Sequence, residues 1–458
     1  MNSTAAVTDN AIDQQFVIDI VAKALRTGAS DAEVVFAEGD EFETLVRLGQ
    51  VEQLKEAGSR ALGLRVFQGQ RTASTSTSDL SPEGVEQLIS GAMSLVRITS
   101  EDPFAGLPEP GEFGALSGDL DLYYEDVYSL PPAERIEYAR RTEAAAMAAD
   151  SRIQNSGGGS FDAATGRKIL ANSRGFVGES RRSSCSISTQ PIALSPDGGM
   201  QRDYWYSSQR SLLLLESPEA VGQEAARRTL RRLGARKVPT QKVPLVFAPE
   251  VARSILGAIL GAINGNAVYR SSSFLAGKLG ETVAANNLTI IDDGTIPGGF
   301  GSASFDGEGL PTRRKVVLDQ GVLTSYLLNT YTARKLGLQS TGNASRGLAG
   351  SPGIGAGNFY LEPGTQTPEE IFAGIPKGLY VTELIGHGVN IVTGDYSHGA
   401  SGLWIENGEL TYPVEEITVA GNLKEMLHNI SSIGNDLIFR SAVACPTLCI
   451  EGMTIAGE

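Results

Sequence analysis

The chain of 458 residues carries 53 acidic and 38 basic side chains, which gives a formal net charge of −15 at pH 7. This acidic balance argues against nucleic-acid binding, because a protein that neutralises many phosphates needs a surplus of Lys and Arg. The apolar fraction of 41 % and the charged fraction of 20 % are typical of a folded chain, and the length predicts more than one domain.

In chain order, the sequence predicts an α+β fold in three parts. Residues 1–110 are expected to form an N-terminal α+β domain, and residues 111–236 a mixed central domain of helices and strands. Residues 237–458 are expected to form a β-rich, Gly-rich C-terminal domain with one buried helix. Proline and glycine residues concentrated over 103–118 indicate the first linker.

Hydrophobic periodicity places the elements within this frame. A first helix is predicted over 11–25. Short strands punctuated by glycines are predicted at 32–37, 41–48, 61–67 and 71–76. Ser81 and Ser217, each followed by Pro, have the signature of helix N-caps.

The helix that begins at Ser217 is rich in arginine near its end. It carries four guanidinium groups, at Arg227, Arg228, Arg231 and Arg232. Because the whole chain is acidic, these groups are expected to form a solvated polar face. Contact with an acidic partner or an anionic surface is the alternative.

In the last part, a buried strand at 243–247 is predicted to lead into a helix from Pro249 to Ile263 that is apolar on almost every face. Gly257 and Gly261, about one helical turn apart, predict the close approach of another element to its backbone. Further along, Asn407 and Gly408 suit the positive φ angles of a type I′ turn, which predicts a hairpin over 403–419.

Three cysteines in so long a chain exclude a disulfide framework and favour a reducing compartment. Asp9, Asp13 and Asp19 stand where a secretory signal would need positive charge and an apolar block. The most apolar segment, residues 255–263, is about half the length of a membrane span. The sequence therefore predicts a cytoplasmic protein that does not enter a membrane.

Common catalytic signatures are missing from the sequence: it has no G-x-S-x-G elbow, no phosphate-binding P-loop and no H-E-x-x-H pair. His387 and His398 flank Asp395, a spacing too unspecific to predict a metal site. With Ser397 between them, the same residues leave open an independent hydrolase whose Ser, His and Asp are brought together by a loop.

Three segments carry a resemblance to a known family. Residues 386–409 read GHGVNIVTGDYSHGASGLWIENGE, residues 412–423 read YPVEEITVAGNL, and residues 431–436 read SSIGND. Together they closely resemble the signature of the PmbA (TldE) branch of the TldD/PmbA family. Weaker similarity covers nearly the whole chain, including the LGLRV strand at 62–66.

The resemblance implies one half of a two-subunit cytoplasmic metallopeptidase that trims peptides and degrades unfolded proteins. In this family the TldD-type subunit holds zinc on an H-E-x-x-x-H helix with a Cys ligand, and the TldE-type subunit does not. Aligned on that helix, Pro249 and Ser254 stand at the His positions, Glu250 remains, and Cys445 corresponds to the Cys ligand. The resemblance thus implies no catalytic residue and no metal here, with zinc held by the TldD-like partner.

The sequence is therefore interpreted as a TldE-like subunit that shapes the substrate groove. The candidate groove residues are His387, Asn390, Thr393, Asp395, Ser397 and His398. The expected partners are a TldD-like subunit, an extended or unfolded peptide, and a second copy of the chain when it is alone. Besides the independent hydrolase, the family also includes proteins assigned as modulators of DNA gyrase, which leaves a protein-binding module as a further alternative.

Overall fold

A computed structural model describes residues 12–195 and 198–457. Ala11, the predicted first residue of the first helix, and Asp9 lie outside the described residues. The helices and strands of the N-terminal half are α1 (Gln14–Arg26), β1 (Asp31–Arg47), β2 (Gln50–Gln68), β3 (Arg71–Thr77), α2 (Pro82–Val96), α3 (Pro132–Ala148), β4 (Ile153–Asn172), β5 (Val177–Leu194), β6 (Met200–Arg202), β7 (Trp205–Gln209) and α4 (Pro218–Leu230).

The C-terminal half has shorter elements joined by long glycine-rich loops. They are β8 (Gln241–Phe247), α5 (Pro249–Ala262), α6 (Gly265–Tyr269), β9 (Ile290–Asp293), β10 (Arg314–Asp319), β11 (Val322–Leu323), α7 (Thr330–Leu336), β12 (Ala344–Ser345), β13 (Gly353–Ile354), β14 (Asn358–Leu361), α8 (Pro368–Ala373), β15 (Lys377–Ile385), β16 (Asp395–Glu406), β17 (Glu409–Asn422), α9 (Leu423–His428), β18 (Ile430–Ile433), β19 (Val443–Ala444) and β20 (Leu448–Ala456).

A seven-stranded antiparallel sheet occupies the N-terminal half, in the order β3-β2-β1-β4-β5-β6, with β7 also paired to β5. One apolar cluster joins α1 and α2 to this sheet, and a second joins α3 and α4 to it. Because β1 pairs with β4, strands from both sides of the predicted boundary at 110/111 belong to one sheet. The division into three domains stays a prediction.

The predicted strands at 32–37 and 41–48 are one continuous strand, β1, so the predicted break between them is wrong. Gly39, one of the glycines predicted to punctuate the strands, lies inside β1 opposite Gly166 of β4. A Cβ at Gly39 would lie 2.6 Å from the carbonyl oxygen of Thr165. This glycine therefore permits close backbone packing in place of a turn.

The C-terminal half contains two larger sheets. One has five strands, in the order β11-β10-β9-β14-β19, and the other has six, in the order β17-β16-β15-β8-β20-β18. Because β17 also pairs with β20, five strands of the second sheet close into a ring. A large apolar cluster contains residues of α5 and of both sheets. The structure confirms the predicted α+β class with a β-rich C-terminal region.

Several local predictions are confirmed. The hydroxyl of Ser81 accepts a hydrogen bond from the Gly84 amide, and the hydroxyl of Ser217 accepts one from Ala220. Asn407 and Gly408 form the turn between β16 and β17, with φ angles of 50° and 85°.

The predicted close approach at the two glycines of α5 is wrong. A Cβ at Gly257 would meet no atom within 4 Å, and one at Gly261 would make only ordinary contact with Ile391. Within the described part of the chain, no helix is both long enough and apolar enough to cross a membrane.

Candidate functional site

The N-terminal turn of α5 lies at a cavity of 260 Å³. Strand β8 ends at Phe247, and Pro249 begins the helix, where a missing backbone N–H breaks no hydrogen bond. Pro249, Glu250 and Cys445 all line this cavity. The structure thus brings together three of the four positions that the resemblance implies.

The fourth position, Ser254, lies one turn further along α5 and is not part of the cavity wall. Its hydroxyl is buried. It faces the phenol of Tyr396 on β16. Burial raises the pKa of this phenol to about 12, although the nearby Ser254 hydroxyl acts in the opposite direction. Ser254 therefore lies in the packed layer between α5 and β16.

The residues at the cavity do not fit zinc. Pro249 has no ligand atom, and a Glu250 carboxylate oxygen lies 3.7 Å from the guanidinium of Arg228. Burial raises the pKa of the Cys445 thiol, and one thiol by itself does not make a zinc site. Among the described residues, no group of three or more His, Cys, Asp and Glu side chains is arranged to hold a metal ion.

The arginines of α4 and its C-terminal extension are not a solvated face, which corrects the sequence interpretation. Arg228 is buried and lies over the ring of Trp205, with its guanidinium carbon 4.5 Å from the ring centre. Arg231 points at the same cavity, and Arg232 forms an ion pair with Glu383 at 2.6 Å. Of the four, Arg227 alone is largely exposed, with 62 % of its side chain accessible.

The sequence did not predict the burial of these arginines. Helical spacing shows which residues share a helix face, but not what packs against the end of the helix. α4 ends at Leu230, so the last two arginines lie beyond the helix. The aromatic triplet beginning at Tyr204 was the available signal, since buried guanidinium groups commonly stack on aromatic rings.

The segment that carries the clearest family signature folds into a compact turn before β16. Asn390 accepts a hydrogen bond from the Val392 amide at 2.9 Å, and Thr393 donates one to Asp395 at 2.6 Å. Asn422 donates another to Asp395 at 3.2 Å. The two bonds donated to Asp395, from Thr393 and Asn422, hold the pKa of its carboxyl below its usual range. Three of the six groove candidates therefore also support the local structure of the turn.

The other groove candidates point in different directions. Ser397 is exposed on β16, whereas His398, the next residue, is buried on the opposite face. The Nδ1 atom of His398 lies 3.1 Å from the carbonyl oxygen of Gly386, and burial lowers the pKa of the imidazole. His387 is exposed in the loop before β16. The strand geometry therefore separates Ser397 from His398, one of the two histidines of the alternative hydrolase site.

A second, larger cavity of 510 Å³ lies between the seven-stranded sheet and the glycine-rich loops of the C-terminal half. Burial and two nearby arginines lower the pKa of Lys168 to about 8. Arg182, also in this wall, donates a hydrogen bond to the Ser302 carbonyl at 3.3 Å. Sequence reasoning missed this cavity because its walls come from strands and loops far apart in the chain.

Family models match most of the chain. The C-terminal domain of the PmbA/TldA metallopeptidases matches residues 240–457, the central domain matches residues 125–233, and domain 1 matches residues 32–96.

Two curated relatives match over nearly their full length, and a third matches over less than half of its length. Metalloprotease PmbA of Escherichia coli O157:H7 is 41 % identical over 438 residues, which are 95 % of each chain. The Metalloprotease PmbA homolog of Haemophilus influenzae is 35 % identical over 100 % of this chain and 99 % of its own. The Metalloprotease TldD homolog of the same organism is 31 % identical over 46 % of this chain and 45 % of its own.

Solved structures share the fold. A protein from Bacteroides thetaiotaomicron, proposed as a modulator of DNA gyrase, superposes with a TM-score of 0.90 at 30 % identity, covering 97 % of this chain and 99 % of its own. TldE from Thermococcus kodakarensis gives a TM-score of 0.88 at 22 % identity, covering 96 % of this chain and 100 % of its own. At that identity the second match shows the fold alone.

Proposed function

The chain belongs to the PmbA/TldD metallopeptidase family, on its PmbA (TldE) branch, and from this premise we propose that it is the subunit without a metal site in a two-subunit zinc peptidase. A TldD-like partner would hold the zinc and carry out hydrolysis. This chain would complete the groove that receives an extended or unfolded peptide.

One observation carries the proposal: three of the four positions that the family resemblance implies lie at the cavity at α5, and the groups they hold do not make a zinc site. Pro249 offers no lone pair, and Arg228 places a positive charge beside Glu250. A guanidinium and a divalent cation at one carboxylate would repel each other. A Glu without a metal-bound water has no polarised nucleophile to activate.

Two further findings support the proposed partner and location. Haemophilus influenzae has both a PmbA homolog and a TldD homolog, each of which matches this chain. The three cysteines are unpaired and buried, which favours the reducing environment of the cytoplasm.

The groove would use exposed polar and backbone groups. His387 and Ser397 are exposed near the turn that Asn390 and Asp395 stabilise. An extended peptide could pair with a free strand edge and be held with little sequence selection. Within the described chain, residues 50–59 of β2 pair with β1 and not with β3, which leaves such an edge open.

Reconstitution tests the proposal directly. A denatured protein substrate is incubated with this chain alone, with a zinc-loaded TldD-like subunit alone, and with both. We expect efficient cleavage with both subunits together and no stoichiometric zinc in this chain by elemental analysis. Cleavage by this chain alone would instead support the independent hydrolase. Gyrase binding without cleavage in any mixture would support a protein-binding module.

A groove variant separates substrate contact from folding. Replacing both His387 and Ser397 with Ala is expected to slow cleavage by the reconstituted pair about tenfold, the effect of one lost hydrogen bond to substrate. The melting temperature should not change, because both side chains are exposed. In the matched control, Thr393→Val removes a bond within the turn and should lower the melting temperature. Full activity of the double variant would place the groove elsewhere.

A further inference from the structure

The larger cavity, between the seven-stranded sheet and the C-terminal loops, holds two cations without an acidic partner. They are Lys168 of β4 and Arg182 of β5. Among the described residues, neither has a carboxylate within ion-pair distance, and the charged groups that act on the pKa of Lys168 are two arginines, Arg182 and Arg346. The chain has 53 acidic side chains, yet none neutralises this pair. An anion from outside the chain would relieve their mutual repulsion.

The other charged groups in the cavity wall already have partners. Three ion pairs account for the remaining basic side chains: Arg167 with Glu38, Lys315 with Asp292, and Arg346 with Glu33. Both carboxylate oxygens of Asp306 accept hydrogen bonds from backbone amides. Of the described residues that line the cavity, Lys168 and Arg182 are thus the charged ones without a partner of opposite charge.

The sheet places these two cations close together on one face. Helices α1 and α2 pack against the face that carries Ile169, so Lys168, the residue before it, points to the opposite face. Lys168 pairs with Ser180 across β4 and β5, and Arg182 follows two residues later on β5. Diagonal neighbours of this kind lie about 7–8 Å apart, within reach of long side chains. One anion between them can therefore accept hydrogen bonds from both.

Both cations keep donors for a ligand. The Nζ atom of Lys168 donates to the Arg346 carbonyl at 2.9 Å, which leaves its other N–H groups available. Arg182 donates to the Ser302 carbonyl at 3.3 Å, its one hydrogen bond among the described residues, and its side chain is exposed at the cavity. Gly166 lies opposite Arg182 in the sheet, and a Cβ there would have no atom closer than 3.9 Å. The space beside the two cations is therefore open.

The size and the walls of the cavity indicate an acidic side chain as the ligand. The volume of 510 Å³ lies within the range of about 300–1,000 Å³ of ligand pockets and exceeds what a lone inorganic ion needs. Leu170 and Phe305 provide apolar wall beside the cations, which suits methylene groups that end in a carboxylate. Glycines of the loops at 294–307 and 342–357 form much of the facing wall, where a peptide backbone can approach closely.

We propose that this cavity binds the side-chain carboxylate of an acidic peptide residue, with Lys168 and Arg182 as its hydrogen-bond donors. Charge-assisted hydrogen bonds from both cations would hold the carboxylate. Peptides that contain Asp or Glu would then be preferred substrates of the proposed peptidase. The assignment to a peptide rests on that proposed function, whereas carboxylate binding itself does not.

Calorimetric titration of the isolated full-length chain tests this inference. The probes are acetyl-Ala-Glu-Ala-amide and acetyl-Ala-Gln-Ala-amide, which differ only in the carboxylate or amide at the end of one side chain. We expect the Glu peptide to bind and the Gln peptide to bind about tenfold more weakly or worse, because charged hydrogen bonds are lost. Equal affinities, or no binding of either peptide, would overturn the proposal. Tighter binding of inorganic phosphate than of the Glu peptide would also overturn it.

Matched variants locate the site. Arg182→Gln should weaken binding of the Glu peptide about tenfold and leave the melting temperature unchanged, because the side chain is exposed. Lys168→Gln should weaken binding to a similar extent. Arg181→Gln removes the same charge from the neighbouring residue, which pairs with Glu179 and does not line the cavity, and should leave binding unchanged. Equal loss in the Arg181 and Arg182 variants would contradict the proposal.

These titrations contain no TldD-like subunit and no cleavage step. A failed reconstitution of peptidase activity would therefore leave the binding result intact. Conversely, a reconstituted peptidase whose isolated TldE-like chain binds the Glu and Gln peptides equally would refute only this inference.

Discussion

At the scale of single residues, Glu308 is a buried carboxyl group with an unusual protonation equilibrium. Its Oε2 atom accepts hydrogen bonds from the backbone amide and the hydroxyl of Thr330. Burial, together with the nearby charge of Asp306, raises the pKa of Glu308 to about 7. The native protein therefore keeps this group protonated at a pH where the unfolded chain ionises it.

The raised pKa of Glu308 predicts a pH-dependent stability. Between pH 4.5 and about 7 the native state binds a proton that the unfolded state has lost, so this contribution to the free energy of unfolding falls as pH rises. The fall amounts to about 3 kcal/mol in total. Glu308→Gln should remove that part of the slope in denaturant titrations between pH 5 and 7.5.

A control uses a carboxylate that is exposed. Glu56 lies on the open part of β2, and Glu56→Gln should retain the slope of the unmodified chain. If Glu308→Gln and the unmodified chain lose stability in parallel across this range, another group governs the dependence.

The candidate site was predictable only where it rested on contiguous motifs. The positions of Pro249, Glu250 and Cys445 followed from the alignment with the family's metal helix and Cys ligand, and the structure places them at one cavity. The buried role of Arg228 was not predictable, because it depends on Trp205 and Glu250, which approach it from other elements. Periodicity describes a helix surface but does not say what covers it.

At the scale of elements, the β16–β17 hairpin turns at Asn407 and Gly408, the two residues that the sequence predicts for the turn. Gly408 has a φ of 85°, and a Cβ there would lie 3.0 Å from the Cα of Ala373 at the end of α8. Both the backbone angle and the neighbouring helix therefore favour glycine at this position.

Gly408→Ala should lower the free energy of unfolding by about 1–3 kcal/mol, the cost of a strained left-handed residue. Gly374 is a matched control just after α8, with a φ of −80° and a Cβ position in ordinary contact with Ile371. Gly374→Ala should change stability by less than about 0.5 kcal/mol. Chemical denaturation of both variants measures the difference, and equal effects would show that the turn is not strained.

Local signals explain which elements were predicted correctly. Caps at Ser81 and Ser217 and the turn at Asn407 depend on a few adjacent residues, so the sequence determines them directly. The fusion of two predicted strands into β1 depends on β4, which follows about a hundred residues later. The closure of the ring by β17 and β20 is likewise a long-range pairing, for which periodicity carries no information.

At the scale of the whole molecule, the seven-stranded sheet contains strands from both sides of the domain boundary that the sequence predicts at residues 110/111. Strand β1 is hydrogen-bonded along one edge to β2 and along the other to β4. A fragment that ends at residue 110 keeps the first pairing and loses the second. The open edge and the apolar residues beside it would then face water.

Two fragments test this dependence. Residues 1–110 expressed alone should aggregate, whereas residues 1–236, which include β1 to β7 and the four helices packed on them, should remain soluble and melt cooperatively. Sedimentation velocity and thermal circular dichroism measure both properties. A monomeric, cooperatively melting 1–110 fragment would show that the first domain folds without β4.

The β1–β4 pairing also sets an order of events during translation. A ribosome adds roughly 5 to 20 residues per second, so the stretch of about a hundred residues between the two strands takes roughly 5 to 20 seconds to synthesise. Throughout that interval the nascent chain presents β1 with one edge unpaired, and neighbouring chains on the same messenger present the same edge. Chaperones that cover strand edges would therefore act before residue 172 emerges, and slower elongation would lengthen the period of risk.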